Sequence, residues 1–159
     1  MRIALYEPDI PQNVGTIIRL GACLGVPVDL IEPFGFVWND QRLRRAGMDY
    51  LDLAAVSRHV SWRAYRDRPE RASGRLVLLT RHAPLPYTAF AFAPGDTLLL
   101  GRESAGVPPA VHGEADARVT VPLCRGLRSL NVAVVAAMIL GEALRQTAGF
   151  PTADGEPAG

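Results

Sequence analysis

Leu98–Pro108 reads LLLGRESAGVP, an apolar run that passes directly into two glycines five residues apart, Gly101 and Gly106. A short apolar run bounded by glycine predicts a buried strand, and glycines at its C-terminal end let a backbone pass close to a small ligand. Outward from this segment, further runs rich in Val, Ile and Leu predict strands at Arg2–Tyr6, Val28–Ile31, Val56–Val60, Arg75–Thr80, Thr97–Leu100 and Arg118–Val121. Helix-period segments lie between them. The first is expected to begin near Asn13, a residue type that caps helices well, with Val14, Ile17, Ile18 and Gly21 on one face. Others are expected at Asp40–Ala46, Arg63–Arg68, Pro109–Ala115 (opened by Pro109 as a first-turn proline) and about Asn131–Gln146. This alternation predicts an α/β domain with a mostly parallel sheet and flanking helices.

The chain has 159 residues, of which 48% are apolar, enough for one core; a second full domain is not expected. The domain is expected over residues 1–148, with 149–159 (GFPTADGEPAG from Gly149) a tail that has little to pack and is disordered. No run approaches the eighteen or so apolar residues needed to span a bilayer, and Arg2 leads straight into a strand, so a cytoplasmic protein with no membrane partner is expected. Cys23 and Cys124 are expected to be free thiols, because a domain of this size needs no staple.

Net charge is +1, yet from Arg42 to Arg81 ten arginines face four acids. That stretch suits either solvated helix faces or a phosphate-facing patch. The terminal helix carries VAVVAAMIL at Val132–Leu140, apolar on every side. A helix of that kind must be covered all round, so a second copy of the chain is expected against it, as a homodimer.

Several chemistries are excluded. Every basic residue apart from the histidines is arginine, so there is no phosphate-binding GxxxxGK[ST] loop and no catalytic lysine. No GxGxxG follows a strand, which removes the common dinucleotide fingerprint. His59, His82, His112 and the two cysteines have no metal-ligand spacing, so no metal is expected.

Three segments place glycine, proline and polar residues at the C-terminal ends of strands, where open α/β sheets bind ligands: Glu7–Gly21 (EPDIPQNVGTIIRLG), Leu98–Pro108, and Val121–Val134 (VPLCRGLRSLNVAV). Physics alone makes them ligand loops. Their order, together with YEPDIPQNVGTIIR, IEPFGFVWNDQRLRRAGMDY, GRESAGVP and RSLNVAV, resembles the motifs of the SPOUT superfamily of RNA methyltransferases, and within it the YibK-like (TrmL) tRNA 2′-O-methyltransferases. The resemblance covers nearly the whole chain. It implies a C-terminal trefoil knot, S-adenosylmethionine bound bent within it, a dimer whose active site borrows residues from both chains, and methylation of the ribose at tRNA position 34. The alternatives are a methylase of the same class acting on another tRNA or rRNA ribose, and a non-catalytic RNA-binding module that keeps the fold.

Carried over by position, the resemblance implies that Leu79, Gly101, Val121, Ser129 and Leu130 contact the cofactor, with Thr80, Glu103 and Gly106 in the same loops. Apolar side chains would wall an adenine while loop amides read its edge. Arg19 is the implied catalytic residue. A guanidinium is a poor base, so its expected work is to clamp a phosphate and stabilise the developing oxyanion. Asn13 suits either a helix cap or a substrate contact, Ser129 either a cofactor contact or a cap, and Asn131 a cap. Arg128, like Arg125, suits either a contact to RNA phosphate or a solvated position, the contact being the expectation. Ala133, Val134 and Gly141 depart from the relatives' polar or tyrosine positions, which bears on substrate choice.

Overall fold

The computed structural model describes residues 1–38, 50, 53–69 and 73–152. Among these, a six-stranded sheet is formed by β1 (Arg2–Tyr6), β2 (Val28–Ile31), β3 (Val56–His59), β4 (Leu76–Leu79), β5 (Thr97–Leu100) and β6 (Ala117–Val119), in the order β3-β2-β1-β5-β4-β6. Every pairing is parallel. Helices α1 (Pro11–Leu24), α2 (Trp62–Arg66), α3 (Pro109–Glu114) and α4 (Val132–Thr147) cover its faces.

The two-residue period of a strand divides the core. Ile3, Leu5, Val77, Leu98 and Leu100 pack with α1 and α4 residues such as Ile17, Ile18, Ile139 and Leu140 on one face. Their neighbours Ala4, Tyr6, Leu76, Leu78 and Leu99 face the other way, onto Tyr65, Val111 and Ala115. A sheet covered on both faces explains why its strands read as nearly continuous apolar runs.

The expected strands are all present, β1, β2 and β5 with the expected bounds, β3 and β4 shorter, and β6 shifted to Ala117–Val119. β6 stops at Val119 because Thr120 leaves the ladder for the β4–β5 connection, its N–H donating to Leu85 O at 3.0 Å and its carbonyl accepting from Tyr87 N at 2.9 Å. The same connection bonds to the end of α4, where Gln146 Oε1 accepts from Phe92 N at 2.9 Å and Gln146 Nε2 donates to Phe90 O at 3.0 Å. Residues 80–96 therefore lie across the outgoing chain at two points.

Helix starts need two corrections. α1 begins at Pro11 rather than near Asn13, because proline is well suited to a first turn, and Ile10 takes the extended cap position with no side-chain bond. Asn13 is inside the helix and buried, so it does not cap it. α2 begins at Trp62, its first turn closed by Ser61 Oγ accepting from Ala64 N at 3.1 Å. The expected helix at Asp40–Ala46 lies outside the described residues. Of the tail, 149–152 are described, and Gly149 N donates to Leu144 O at 2.9 Å. Cys23 and Cys124 are free and exposed, and no helix of the described residues is long and apolar enough to cross a membrane.

On β2, one strand in from the edge of the sheet, Asp29 is fully buried and accepts from Arg2 Nε (2.8 Å), Arg2 Nη2 (3.0 Å) and Arg68 Nη1 (3.0 Å), with His59 Nε2 2.8 Å away. Burial pushes its carboxyl up, but the hydrogen bonds from Arg2 and His59 outweigh that and hold it below the usual carboxylate range. A carboxyl depressed by folding contributes stability that is complete above its unfolded value, about 3.9, and is lost as pH falls through its folded value. Asp29→Asn is expected to cost about 3 kcal/mol, the lower end for a broken buried pair because both arginines reach solvent, and to flatten the acid limb of stability below pH ~4. Urea midpoints measured across pH check this; an unchanged midpoint would remove Asp29 as the hub.

Candidate active site

Two of the three ligand segments are tied together by reciprocal hydrogen bonds. Asp9, in the β1–α1 loop, accepts from the amides of Glu103 (3.1 Å) and Ser104 (3.3 Å) and from the Ser104 hydroxyl. Glu103 answers, Oε2 accepting from Asp9 N and Oε1 from Asn13 Nδ2, both at 3.0 Å. Burial, and then the adjacent Asp9, raise the Glu103 carboxyl. Burial also acts upward on Asp9, but the bonds from Glu103 and Ser104 prevail and hold it low.

Asn13 joins the third segment as well, its Oδ1 accepting from Asn131 Nδ2 at 2.9 Å. Asn131 in turn caps α4, Oδ1 accepting from Ala133 N (2.8 Å) and Val134 N (3.3 Å). Asn131 is thus the cap and Ser129 is not. One buried amide holds α1, the β5 loop and the start of α4 in register.

The β5 loop turns back on itself. Arg102 and Gly106 exchange backbone bonds (3.1 and 2.7 Å), with Gly106 in the left-handed region at φ +70°. A Cβ at Gly101 would meet the carbonyl carbon of Gly106 at 2.6 Å, so only glycine fits there. Glu7, at φ 44°, takes up a strained turn where β1 ends, pinned by Arg102, which donates to its carboxylate and, at 3.3 Å, to its carbonyl.

Beside these loops lies an open cleft of about 520 Å³, lined by Arg81 and His82 after β4, Thr120, Val121, Pro122 and Leu123 after β6, and Leu127 and Arg128 before α4. Its size falls within the roughly 300–1,000 Å³ of small-ligand sites. Val121 and Arg128 both line this cleft. Leu79 ends β4 half-buried against the core, while Ser129 and Leu130 are exposed on the loop before α4; these three do not line the cleft. Arg81, His82, Leu123 and Leu127 escaped the sequence reading, although Arg81 and His82 directly follow a strand recognised as feeding a ligand loop.

Arg19 is elsewhere. It is exposed on α1, its guanidinium carbon 5.2 Å from the Tyr50 ring centroid, and takes no part in the cleft of its own chain. The arginine-rich stretch is largely paired among the described residues: Arg58 with Glu32, Arg63 and Arg66 with Asp67, Arg68 with Asp29 and Arg75 with Asp96. Arg42, Arg44, Arg45 and Arg71 lie outside the described residues. No cluster of three or more metal-ligating side chains occurs among the described residues.

The chain is similar over its length to known methyltransferases. It is 63% identical over 144 residues to a tRNA (cytidine(34)-2′-O)-methyltransferase of Beijerinckia indica, covering 91% of this chain and 90% of the relative. It is 39% identical over 157 residues to the protein of the same name in Escherichia coli K12, covering 96% and 97%. A solved structure concerned with 2-OH methylation of C/U34 on tRNA superposes with a TM-score of 0.85 at 35% identity, covering 91% of this chain and 94% of that one. The AdoMet complex of the SpoU methyltransferase AviRb from Streptomyces viridochromogenes gives 0.83 at 28% identity, covering 92% and 60%. The model of the SpoU rRNA Methylase family matches residues 1–141, and the chain belongs to that family.

Proposed function

We propose that this chain transfers a methyl group from S-adenosylmethionine to the ribose 2′-hydroxyl of the tRNA wobble nucleotide, position 34, working in the cytoplasm as a homodimer. The observation that carries the reading is the cleft between the loops after β4 and β6, backed by the glycine turn at Gly101–Gly106 in a chain 63% identical to a named cytidine-34 methyltransferase.

The cleft suits this cofactor. Val121, Leu123 and Leu127 offer apolar walls for an adenine, Arg81 offers donors for a carboxylate, and the Gly101–Gly106 turn admits close backbone approach. Val121 and Gly101 are assigned to cofactor contact, and Leu79, Ser129 and Leu130, which do not line the cleft, are assigned to it by the motif order alone. When bound, the sulfonium supplies an electrophilic methyl. Asn13 supports the site by holding α1 to both other loops, and its remaining N–H and carbonyl lone pair are available to a substrate group. Arg128, at the cleft and exposed, is placed to meet an RNA phosphate.

Arg19 completes the site from the second copy. Its separation from the cleft of its own chain supports this, as does the outer face of α4, where Val134 is 48% and Met138 37% exposed, and Gly141 leaves open space. A helix stripe of that kind needs a cover, and α1 packs beside α4 on the same face of the sheet. The crossing of residues 80–96 over the outgoing chain supports the trefoil path. Incubation of the protein with labelled S-adenosylmethionine and bulk tRNA, followed by mapping of the labelled nucleotide, tests the assignment. Label at the 2′-oxygen of position 34 is expected; label only at another ribose would overturn it.

A further inference from the structure

Beyond β2 the chain builds a feature that neither the cleft nor Arg19 uses. The rings of Phe34 and Phe36 stack with centroids 5.5 Å apart and planes 10° apart, and Trp38 lies 5.3 Å from Phe34 at 33°. The Arg58 guanidinium from β3 lies over this group, 4.5 Å from the Trp38 ring and 5.4 Å from Phe34, and is itself held by Glu32 at 2.7 Å. All three rings are partly exposed, and Val37 between the last two is 89% exposed.

The alternate residues 34, 36 and 38 carry the aromatic side chains, and the glycine at 35, where the chain bends, lets it press against the site: Gly35 N donates to Pro8 O at 3.0 Å, and a Cβ there would collide with Asp9. Asp9 is the residue clipped to Glu103 and Ser104. The ring group is therefore continuous with the cofactor loops, at the same C-terminal end of the sheet.

We propose that Phe34, Phe36, Trp38 and Arg58 form a stacking platform for unpaired bases of the RNA substrate loop, beside the nucleotide that is methylated. Single-stranded loops are recognised by stacking of splayed bases on aromatic rings and guanidinium planes, which is tolerant of base identity because every base has a flat face. A part-exposed ladder of near-parallel rings with an anchored guanidinium offers such faces without reordering, since Glu32 has already fixed the arginine. The inference rests on the reading of the chain as an RNA ribose methyltransferase, and it adds which surface holds the RNA and by what chemistry.

The sequence contains two tryptophans, so Trp62→Phe leaves Trp38 as the sole tryptophan, whose emission is read apart from that of the tyrosines by excitation at the red edge of the band. Titration of that variant, otherwise intact, with an anticodon stem-loop hairpin is expected to quench Trp38 emission saturably, and a blunt RNA duplex of equal length to leave it unchanged. In parallel, Trp38→Leu is expected to raise KM for RNA about tenfold, on the scale of one lost base–aromatic stack, with kcat and the dissociation constant for S-adenosylmethionine unaltered and Trp38→Tyr restoring KM. Emission indifferent to the hairpin would overturn the platform. So would equal response to the duplex, or emission that follows protein dilution instead of RNA, which would make a second copy the occupant. A hairpin that quenches Trp38 but is never methylated would instead remove the proposed reaction and leave the platform standing.

Discussion

Arg19→Ala is expected to lower the rate of methyl transfer roughly 10²–10³-fold, the scale on which removal of one donor to a developing oxyanion is felt. The 2′-hydroxyl is a weak acid, and its oxygen gains negative charge as its proton leaves to a phosphate oxygen or water, before the lone pair so freed attacks the incoming methyl. A guanidinium is fixed as a cation at working pH and cannot take the proton, but it can hold the adjacent phosphate and favour that charge. Because Arg19 is exposed on α1 and takes no part in the cleft of its own chain, its loss should leave cofactor affinity and thermal stability close to those of the native protein. Single-turnover rates and calorimetric titration with S-adenosylmethionine check both halves. Native turnover in the variant would end the assignment.

The second large effect is expected at Gly101→Ala. The added methyl would meet the backbone of Gly106, with its carbonyl carbon at 2.6 Å and its Cα at 2.9 Å, and backbone cannot swing away as a long side chain can. The turn must open, which breaks the paired Arg102–Gly106 bonds and displaces Glu103 from Asp9 and Asn13. Overpacking of this kind costs about 1–3 kcal/mol. Where the cost falls on the bound form of the loop, affinity for S-adenosylmethionine should drop roughly tenfold to a hundredfold. Calorimetry against a melting control separates loop damage from unfolding; affinity within twofold of native would place this loop outside the cofactor site.

Together the two variants test how the site is assembled. If Arg19 serves the partner's cleft, subunits of the two variants mixed and reassociated in equal amounts should regain activity. Half of the dimers are then mixed, and each has one site with both parts native, so about a quarter of native activity is expected from symmetry. Mixing without any gain, with exchange verified, would put Arg19 and the cleft to work in one and the same chain.

The middle of the sheet was legible because burial on both faces demands apolar residues along a parallel strand, so β1, β4 and β5 announced themselves as compact apolar runs, whereas the edge strands β3 (VSRH) and β6 (ARV) carry a weaker signal. Strand ends were less legible. Nothing local tells Thr120 to leave β6; it does so because Leu85 and Tyr87, more than thirty residues earlier, take its backbone bonds. The start of α1 was misjudged for a related reason. Asn13 has the right chemistry for a cap, yet Pro11 opens the helix two residues earlier, and the amide is required by Glu103 and Asn131, 90 and 118 positions away.

What the amino-acid sequence determined by itself is whatever depends on neighbours in the chain: the period of each element, the glycines that permit the turn after β5, the absence of lysine chemistry, and the motif order that marks the family. Tertiary structure alone decided which polar groups meet. It brought Arg81 and His82 opposite Val121 and Arg128, bound Asp9 to Glu103, set Arg58 over Trp38, and kept Arg19 away from the cleft of its own chain. The reason is physical: hydrophobic periodicity is a one-dimensional signal, whereas a hydrogen bond or a ring contact is satisfied only at a distance and an angle that the packed core must first impose.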